Sequence, residues 1–584
     1  MSEQGINEFL LKLKSHQIFI KLVDGRLRVN APNQGVPAEL RDELTHRKQE
    51  LLDFFQTLKQ SQSQSLTPLE ISDKKGPAPL SFGQQRSWLL HELNKEHDVA
   101  YDTLTFNLRM QGRLNIDALK FSLVQLLHRH EILRTKVAFF NEQPVQQVMP
   151  VPSVQLTAKE IPVESGVDLE AAVKHVLITA NKTLLDPSTG PLFQADLYQI
   201  KSDDHILILT IHHMIFDGWS MGILTRELMQ LYEGFVTGNK HSLPEPKLQY
   251  GDFSRWQRDW MQGEVLDNHL HYWKNQLTGI EKLELPLDYM RPATQTYNGS
   301  TQSFTLSPEV YQQITLISQN NNSTLFMTLI TTLGLFLSKY SGQTDIAIGT
   351  PITNRDRIEL QDMVGYFLNT LVMRLDTSGD VDFNALLNRC RKTCLDGFAH
   401  QDLPFEKLVE EMQLERDQSI SPLFQIMFFL DGAPETIPLV LPQVELSTIS
   451  LSGNTTRFDL EISAVPGEYG LGISFTYNTD LFKDETILRM LKHYQSLLES
   501  IASKPGAKVY ELDLLNQQEK DLLLRQFNQT QRDYDLTTTV STLFEQKVLT
   551  KADALAVIYG EQKLSYSELN QRANQLANYL QAQG

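Results

Sequence analysis

The order of apolar and polar positions divides the chain into stretches of different texture. At the start, Ile6, Phe9, Leu10 and Leu13 fall on one helical face. Apolar runs at 18–22 and 27–29 then flank Asp24-Gly25, a strong hairpin signal. Pro37 opens a second helical stretch carrying Leu40, Leu44, Leu51, Leu52 and Phe55. Helix, hairpin and helix within residues 1–58 predict a small α+β module with a thin core. The pattern lapses over 59–77, where Gln60 to Ser65 alternates Gln and Ser and is followed by Pro68 and Gly76-Pro77. That texture predicts a flexible linker.

From 78 to 510 strand-like and helix-like runs alternate, which predicts α/β layers. Leu119, Leu123, Leu126 and Leu127 form the apolar face of one helix. The run from Leu325 to Leu337 is broken by threonines and too short to cross a bilayer, so it reads as a buried core helix. The stretch around which the chain is organised is Ile206 to Ile211, with five apolar residues of six. It predicts a strand covered on both faces. His212 and His213 follow it, then a short apolar step, the turn Asp217-Gly218, and Trp219-Ser220. Met221 to Tyr232 has helical spacing at Ile223, Leu224, Leu228 and Leu231. A buried strand thus delivers two imidazoles to a loop that drops into a helix.

Composition narrows the setting. A length of 584 residues suggests about four compact units. Apolar residues at 41% and charged residues at 21% fit an ordinary globular chain. A net charge of −18 argues against non-specific nucleic-acid binding. The two cysteines, Cys390 and Cys394, lie four apart on a predicted helix and read as reduced thiols. The start Met1-Ser2-Glu3-Gln4 has no basic-then-apolar signal pattern. These features predict a cytoplasmic protein with neither membrane nor nucleic acid as partner.

A neutral imidazole can take a proton from an attacking amine, or hold that amine by a hydrogen bond. Adjacent strand residues point to opposite faces, so His212 and His213 cannot share one pocket if the strand runs through both. The pattern leaves open which of them is catalytic. Diverging histidines with no carboxylate or Cys cluster nearby argue against a metal site.

The heptapeptide His212-His213-Met214-Ile215-Phe216-Asp217-Gly218 resembles the active-site motif of nonribosomal peptide synthetase condensation domains. These belong to the chloramphenicol-acetyltransferase-like superfamily. Six further stretches resemble the other motifs of that family, in order. Leu80 to Arg86 resembles the first and His128 to Thr135 the second. Tyr250 to Phe253 with Trp256-Gln257 resembles the fourth. Ile348 to Pro351, Asn354-Arg355 and Val364 to Thr370 resemble the fifth. His400 to Phe405 resembles the sixth, and Arg416-Asp417 with Ser421 to Gln425 the seventh. Departures are small: Gly83 stands where alanine is usual, Leu368 where valine is, and Ile420 where arginine is.

The resemblance implies two chloramphenicol-acetyltransferase-like lobes in a V, about 78–250 and 251–510, meeting near residue 250. It implies an amide bond formed between a carrier-bound acyl or peptidyl thioester donor and a carrier-bound aminoacyl acceptor. No cofactor would be bound; upstream and downstream carrier domains would supply the phosphopantetheine arms. His213 would face the pocket as the catalytic imidazole, and the backbone N–H at Gly218 would face the developing oxyanion. His212, Asp217 and Arg134 would hold the loop, with Asp217 paired to Arg134. Trp219, Ser220 and Asn369 would be tunnel or motif positions. An epimerisation domain shares the central motif, but the first and second motifs favour condensation. A heterocyclisation domain would carry Asp in place of the histidines. A catalytically silent recruitment platform fits less well with intact His213, Asp217 and Gly218.

Residues 1–58 resemble TubC-type N-terminal docking domains. In these, an exposed hairpin receives the acidic C-terminal tail of an upstream synthetase subunit; Lys21, Arg26 and Arg28 would meet it. Val540 to Phe544, Asp553 to Val557 and Leu564 to Leu569 resemble the first motif region of an adenylation domain. The chain stops at Gly584 with no phosphate loop, so 511–584 reads as linker and the truncated start of such a domain.

Overall fold

The computed structural model describes residues 19–23, 26–30, 40, 41, 44, 48, 69–71, 76–94, 102–152, 156–162, 168–238, 243–413, 417, 419–431, 440–449 and 455–584. The leading helix expected around Ile6 to Leu13, the Asp24-Gly25 turn and Arg416 lie outside them. In the N-terminal stretch, strands Phe19–Val23 and Arg26–Asn30 pair antiparallel, with Lys21 opposite Arg28 and Val23 opposite Arg26. The two-residue connection is the spacing expected of a tight hairpin.

Two six-stranded sheets with helices follow. The first runs in the order Val440–Leu441, Val444–Thr448, Thr103–Gly112, Asp204–His212, Phe193–Lys201, Ala158–Glu160. Every residue of its strand Asp204–His212 is buried, as a centre strand covered on both faces requires. Helices Ile116–Arg129 and Gly218–Thr237 belong to the same core through Leu119, Leu123, Leu126, Ile223, Leu224 and Leu228. Arg129 and His130 brace this pair of helices, both meeting the Glu227 carboxylate, His130 Nε2 at 2.8 Å.

The second sheet is ordered Gly299–Leu306, Gly470–Asn478, Leu460–Gly467, Ile426–Leu430, Asp345–Ile352, Asn369–Asp376. Its core helix Leu325–Ser341 is buried from Met327 to Leu337. Threonines are tolerated there because Thr331 and Thr332 donate to carbonyls one turn back. Cys390 and Cys394 are buried free thiols on helix Phe383–Ala399.

The lobes are not successive halves of the chain. Strand Val444–Thr448 pairs with Thr103–Gly112, adding a late segment to the first sheet. Gly112 makes the crossing possible. It has φ +125°, and a Cβ there would lie 2.2 Å from the Gln443 carbonyl oxygen. Leu360, Met363, Val364 and Phe367 likewise pack into the first core. A division at residue 250 therefore misassigns two stretches, because short edge elements carry little pattern of their own.

Residues Leu515–Gly584 form a separate compact unit. It holds helices Val540–Thr550 and Tyr566–Gln583 and the hairpin Leu555–Tyr559 with Gln562–Ser565. No helix among the described residues is long and apolar enough to cross a membrane.

Candidate active site

The buried strand ends at His212, and His213 opens a short 3-10 turn, His213–Ile215. This break in the strand, not strand alternation, separates the two rings. His212 turns inward: it is 2% exposed, and its Nδ1 accepts from the Met214 N–H at 3.1 Å, capping the turn. Burial, with nearby His91, pushes its pKa down to about 3.

His213 is half-buried. Its backbone N–H donates to the Asp102 carbonyl at 2.6 Å. Its Nδ1 lies 3.0 Å from the Phe216 carbonyl oxygen. A carbonyl can only accept, so Nδ1 carries the proton and Nε2 keeps its lone pair. The ring stands perpendicular to that of Tyr366, with centroids 5.1 Å apart and planes at 90°. Burial, then the positive charge of Arg457, lowers the pKa of His213 to about 4. Arg457 comes from the second lobe and reaches the Asp102 carboxylate at 3.4 Å, which also accepts from Ser87 Oγ at 3.1 Å.

Past the turn, Asp217 caps helix Gly218–Thr237. Its carboxylate accepts from the Ser220 N–H and hydroxyl at 2.9 and 2.7 Å and from the Phe367 N–H at 3.1 Å. Its charge partner is Arg355, not Arg134. Nη2 of Arg355 lies 3.0 and 3.1 Å from the two carboxylate oxygens, and the side chains are 1% and 0% exposed. Nη1 of Arg355 donates to the Leu360 and Met363 carbonyls, both at 2.6 Å, and the guanidinium lies 4.0 Å from the centroid of the Phe367 ring. Arg134 instead donates to the Leu127 and Met149 carbonyls and pairs with Glu131. It closes its own 3-10 turn, Glu131–Arg134, where nearby carbonyls satisfy it.

The Ser220 hydroxyl accepts from Arg355 and from the Gly365 N–H at 3.1 Å, so the turn is clamped to the 355–367 loop. Trp219 is half exposed and its indole N–H donates to the Gln361 carbonyl at 2.9 Å. Both side chains thus join the lobes. Asn369 is spent elsewhere: it donates to the Gln401 and Leu403 carbonyls and accepts from the Thr370 and Phe405 N–H groups. Gly218 is the first helical residue, so its N–H has no partner within the helix. A Cβ there would meet nothing within 4 Å. Among the described residues no cluster of three His, Cys, Asp or Glu could hold a metal.

The sequence assigned no site role to Arg355, Tyr366, Asp102 or Arg457. Arg355 and Tyr366 lie within the fifth-motif stretch, a signal that could have found them. Asp102 and Arg457 carry none.

Together these features define a class, a two-lobed acyltransferase of chloramphenicol-acetyltransferase-like fold with the neutral His213 imidazole in the turn that follows a buried strand. A family model, "Condensation domain", matches residues 74–524, and a second, "TubC N-terminal docking domain", matches residues 6–57. The chain belongs to the condensation-domain family of nonribosomal peptide synthetases, whose members are amide-bond-forming acyltransferases. A linear gramicidin synthase of Brevibacillus parabrevis is 37% identical over 589 residues, covering 99% of this chain and 11% of that protein. The chain thus spans about a tenth of the length of that relative. The X-domain in complex with OxyB from teicoplanin biosynthesis superposes with a TM-score of 0.70 at 25% identity, over 77% of this chain and 99% of that one. A four-domain nonribosomal peptide synthetase bound to AMP and glycine superposes with a TM-score of 0.74 at 21% identity, over 87% of this chain and 39% of that one.

Proposed function

We propose that the chain joins an acyl or peptidyl thioester, delivered by an upstream carrier domain, to the amine of an aminoacyl thioester on a downstream carrier. The amine nitrogen attacks the donor carbonyl, and the donor arm leaves as a thiol. Phosphopantetheine belongs to the carriers and enters as part of each substrate. The observation that carries the reading is His213, held by its Nδ1–H on a main-chain carbonyl so that Nε2 keeps its lone pair. Burial keeps the ring neutral at neutral pH, so Nε2 can accept a hydrogen bond from the amine and align it. The Gly218 N–H at the helix start suits the carbonyl oxygen as charge develops. The test is intact mass spectrometry of the two loaded carriers with the chain added: transfer of donor mass to the acceptor carrier is expected. α-Proton exchange without transfer would mean epimerisation. The likeness to an X-domain solved with OxyB favours a second reading, recruitment without turnover, which the same assay rejects when product forms.

The depressed pKa of His213 sets a pH prediction. Its ordinary value, 6.5, falls to about 4 on folding. The unfolded chain therefore binds the proton first. The stability due to the neutral ring is complete above about pH 6.5 and is lost as pH falls towards 4. Corrected for the free-amine fraction of the acceptor, the rate of amide formation should be flat from about pH 5.5 to about pH 8. A titration step near 6.5 in that corrected profile would show that His213 is charged in the resting site.

Residues 1–58 are proposed to receive the acidic tail of an upstream synthetase subunit on the hairpin, with Lys21, Arg26 and Arg28 supplying charge. Their side chains lie outside the described residues; the antiparallel hairpin and the docking-family match support the reading. Titrating the chain calorimetrically with an acidic peptide should show binding that weakens with salt and falls further when Arg26 and Arg28 are made Glu. Heat unchanged by either would remove the charge contact. The unit after Leu514 is proposed as the leading part of an adenylation domain, and the setting as cytoplasmic.

A further inference from the structure

Gly83 lies in the first turn of helix Phe82–Asn94. A Cβ at that position would stand 2.6 and 2.9 Å from two carbons of the Tyr366 ring. The ring therefore occupies the space that any other residue at 83 would fill with its first carbon. The same ring stands perpendicular to that of His213, with centroids 5.1 Å apart.

Neither backbone can yield easily. On the Tyr366 side, the Tyr250 hydroxyl donates to the Tyr366 carbonyl at 2.5 Å. Gly365 before it is held by Ser220, and Phe367 after it by Asp217. On the Gly83 side, the Ser81 hydroxyl caps the helix at Gln84 and lies 2.9 Å from the same Tyr250 hydroxyl. Tyr250 thus ties the two segments together. A methyl added at 83 would press on the Tyr366 ring and force it to shift, and that ring stands against His213.

We propose that Tyr366 is a positioning and size-selecting residue: seated in the space Gly83 leaves open, its ring sets the attitude of the His213 imidazole and the clearance beside Nε2. This rests on the reading of His213 given above. The charged groups around the ring, Arg86 with Glu406 and Arg457 with Asp102, come from both lobes, so the ring stands where their elements converge. The ligand class it senses is the bulk of the acyl thioester next to the reacting carbonyl.

The test is a double-mutant cycle on the full chain, with acetyl- and phenylacetyl-pantetheine thioesters as donors and glycyl-pantetheine thioester as acceptor. Gly83→Ala should lower kcat on the acetyl donor by roughly ten- to a hundredfold, with KM little changed, as a misaligned reacting group does. In a Tyr366→Ala background, Gly83→Ala should add nothing further. Tyr366→Ala should raise the rate on the phenylacetyl donor relative to the acetyl one, and Tyr366→Phe, which restores the ring, should recover most of the parental selectivity. An equal loss from Gly83→Ala in both backgrounds would overturn the proposal. If Gly83→Ala alone does not fold, the donor ratio decides: one and the same ratio in the parent, in Tyr366→Ala and in Tyr366→Phe also overturns it. Full activity of His213→Ala would instead sink the underlying assignment, an outcome separate from either.

Discussion

His213→Ala is expected to fold normally and to lose amide formation by roughly 10²–10⁴-fold, nearer the lower end if the ring only aligns the amine. The fold should survive because the parent ring is half-buried and its backbone bond to the Asp102 carbonyl is open to any residue. Only the Nδ1–H bond to Phe216 disappears, from a turn whose Phe216 N–H still reaches the residue 213 carbonyl. What is lost is the acceptor at Nε2. The measurement is the initial rate of product on the acceptor carrier, with the melting temperature as control. Near-parental rates from a well-folded variant would dismiss the imidazole as the acting group. His212→Ala is the contrast. It deletes a buried ring and leaves the Met214 N–H unpaired, costing about 1–3 kcal/mol, so activity should fall only as folded protein does.

The second large effect is on stability. Asp217→Ala strips the counter-charge from a guanidinium with 1% exposure and also leaves the Ser220 and Phe367 N–H groups without their acceptor. Breaking a buried pair from one side costs about 3–5 kcal/mol. Arg355→Ala should cost a similar amount, since it also frees the Leu360 and Met363 carbonyls. The double variant should lose clearly less than the two singles combined, by about 0.5–3 kcal/mol, as contacting partners do. Asp217→Ala with Arg134→Ala should be additive within about 0.5 kcal/mol. Urea unfolding of the parent, the single variants and the two doubles measures both. Strict additivity of Asp217 with Arg355 would deny the pairing.

How much of this was legible depends on range along the chain. The strand before His212 and the helix from Leu325 announce themselves because continuous burial leaves a continuous apolar run. The clamp does not. Asp217 and Arg355 are 138 positions apart, and nothing in the pattern says which arginine a carboxylate will meet. Arg134 was the nearer candidate, but its hydrogen bonds to the Leu127 and Met149 carbonyls are made within its own neighbourhood. The strand Val444–Thr448 escaped notice as a member of the first sheet because its five residues carry only two buried apolar positions. The closeness of Gly83 to Tyr366 is likewise a fact of three dimensions: a missing methyl leaves no mark on periodicity.

The crossing of late segments into the first lobe bears on recombination. A chimaera joined near residue 250 would take Asp217, Ser220 and strand Thr103–Gly112 from one parent. Arg355, the Gly365–Phe367 stretch, Arg457 and the edge strand Val444–Thr448 would come from the other. Each such graft rebuilds the catalytic turn from two ancestries. Parents that agree at these few positions should therefore make working hybrids at sequence distances where parents that differ there do not. A joint placed after Leu514 moves the whole interlocked body as one piece and asks for no such agreement.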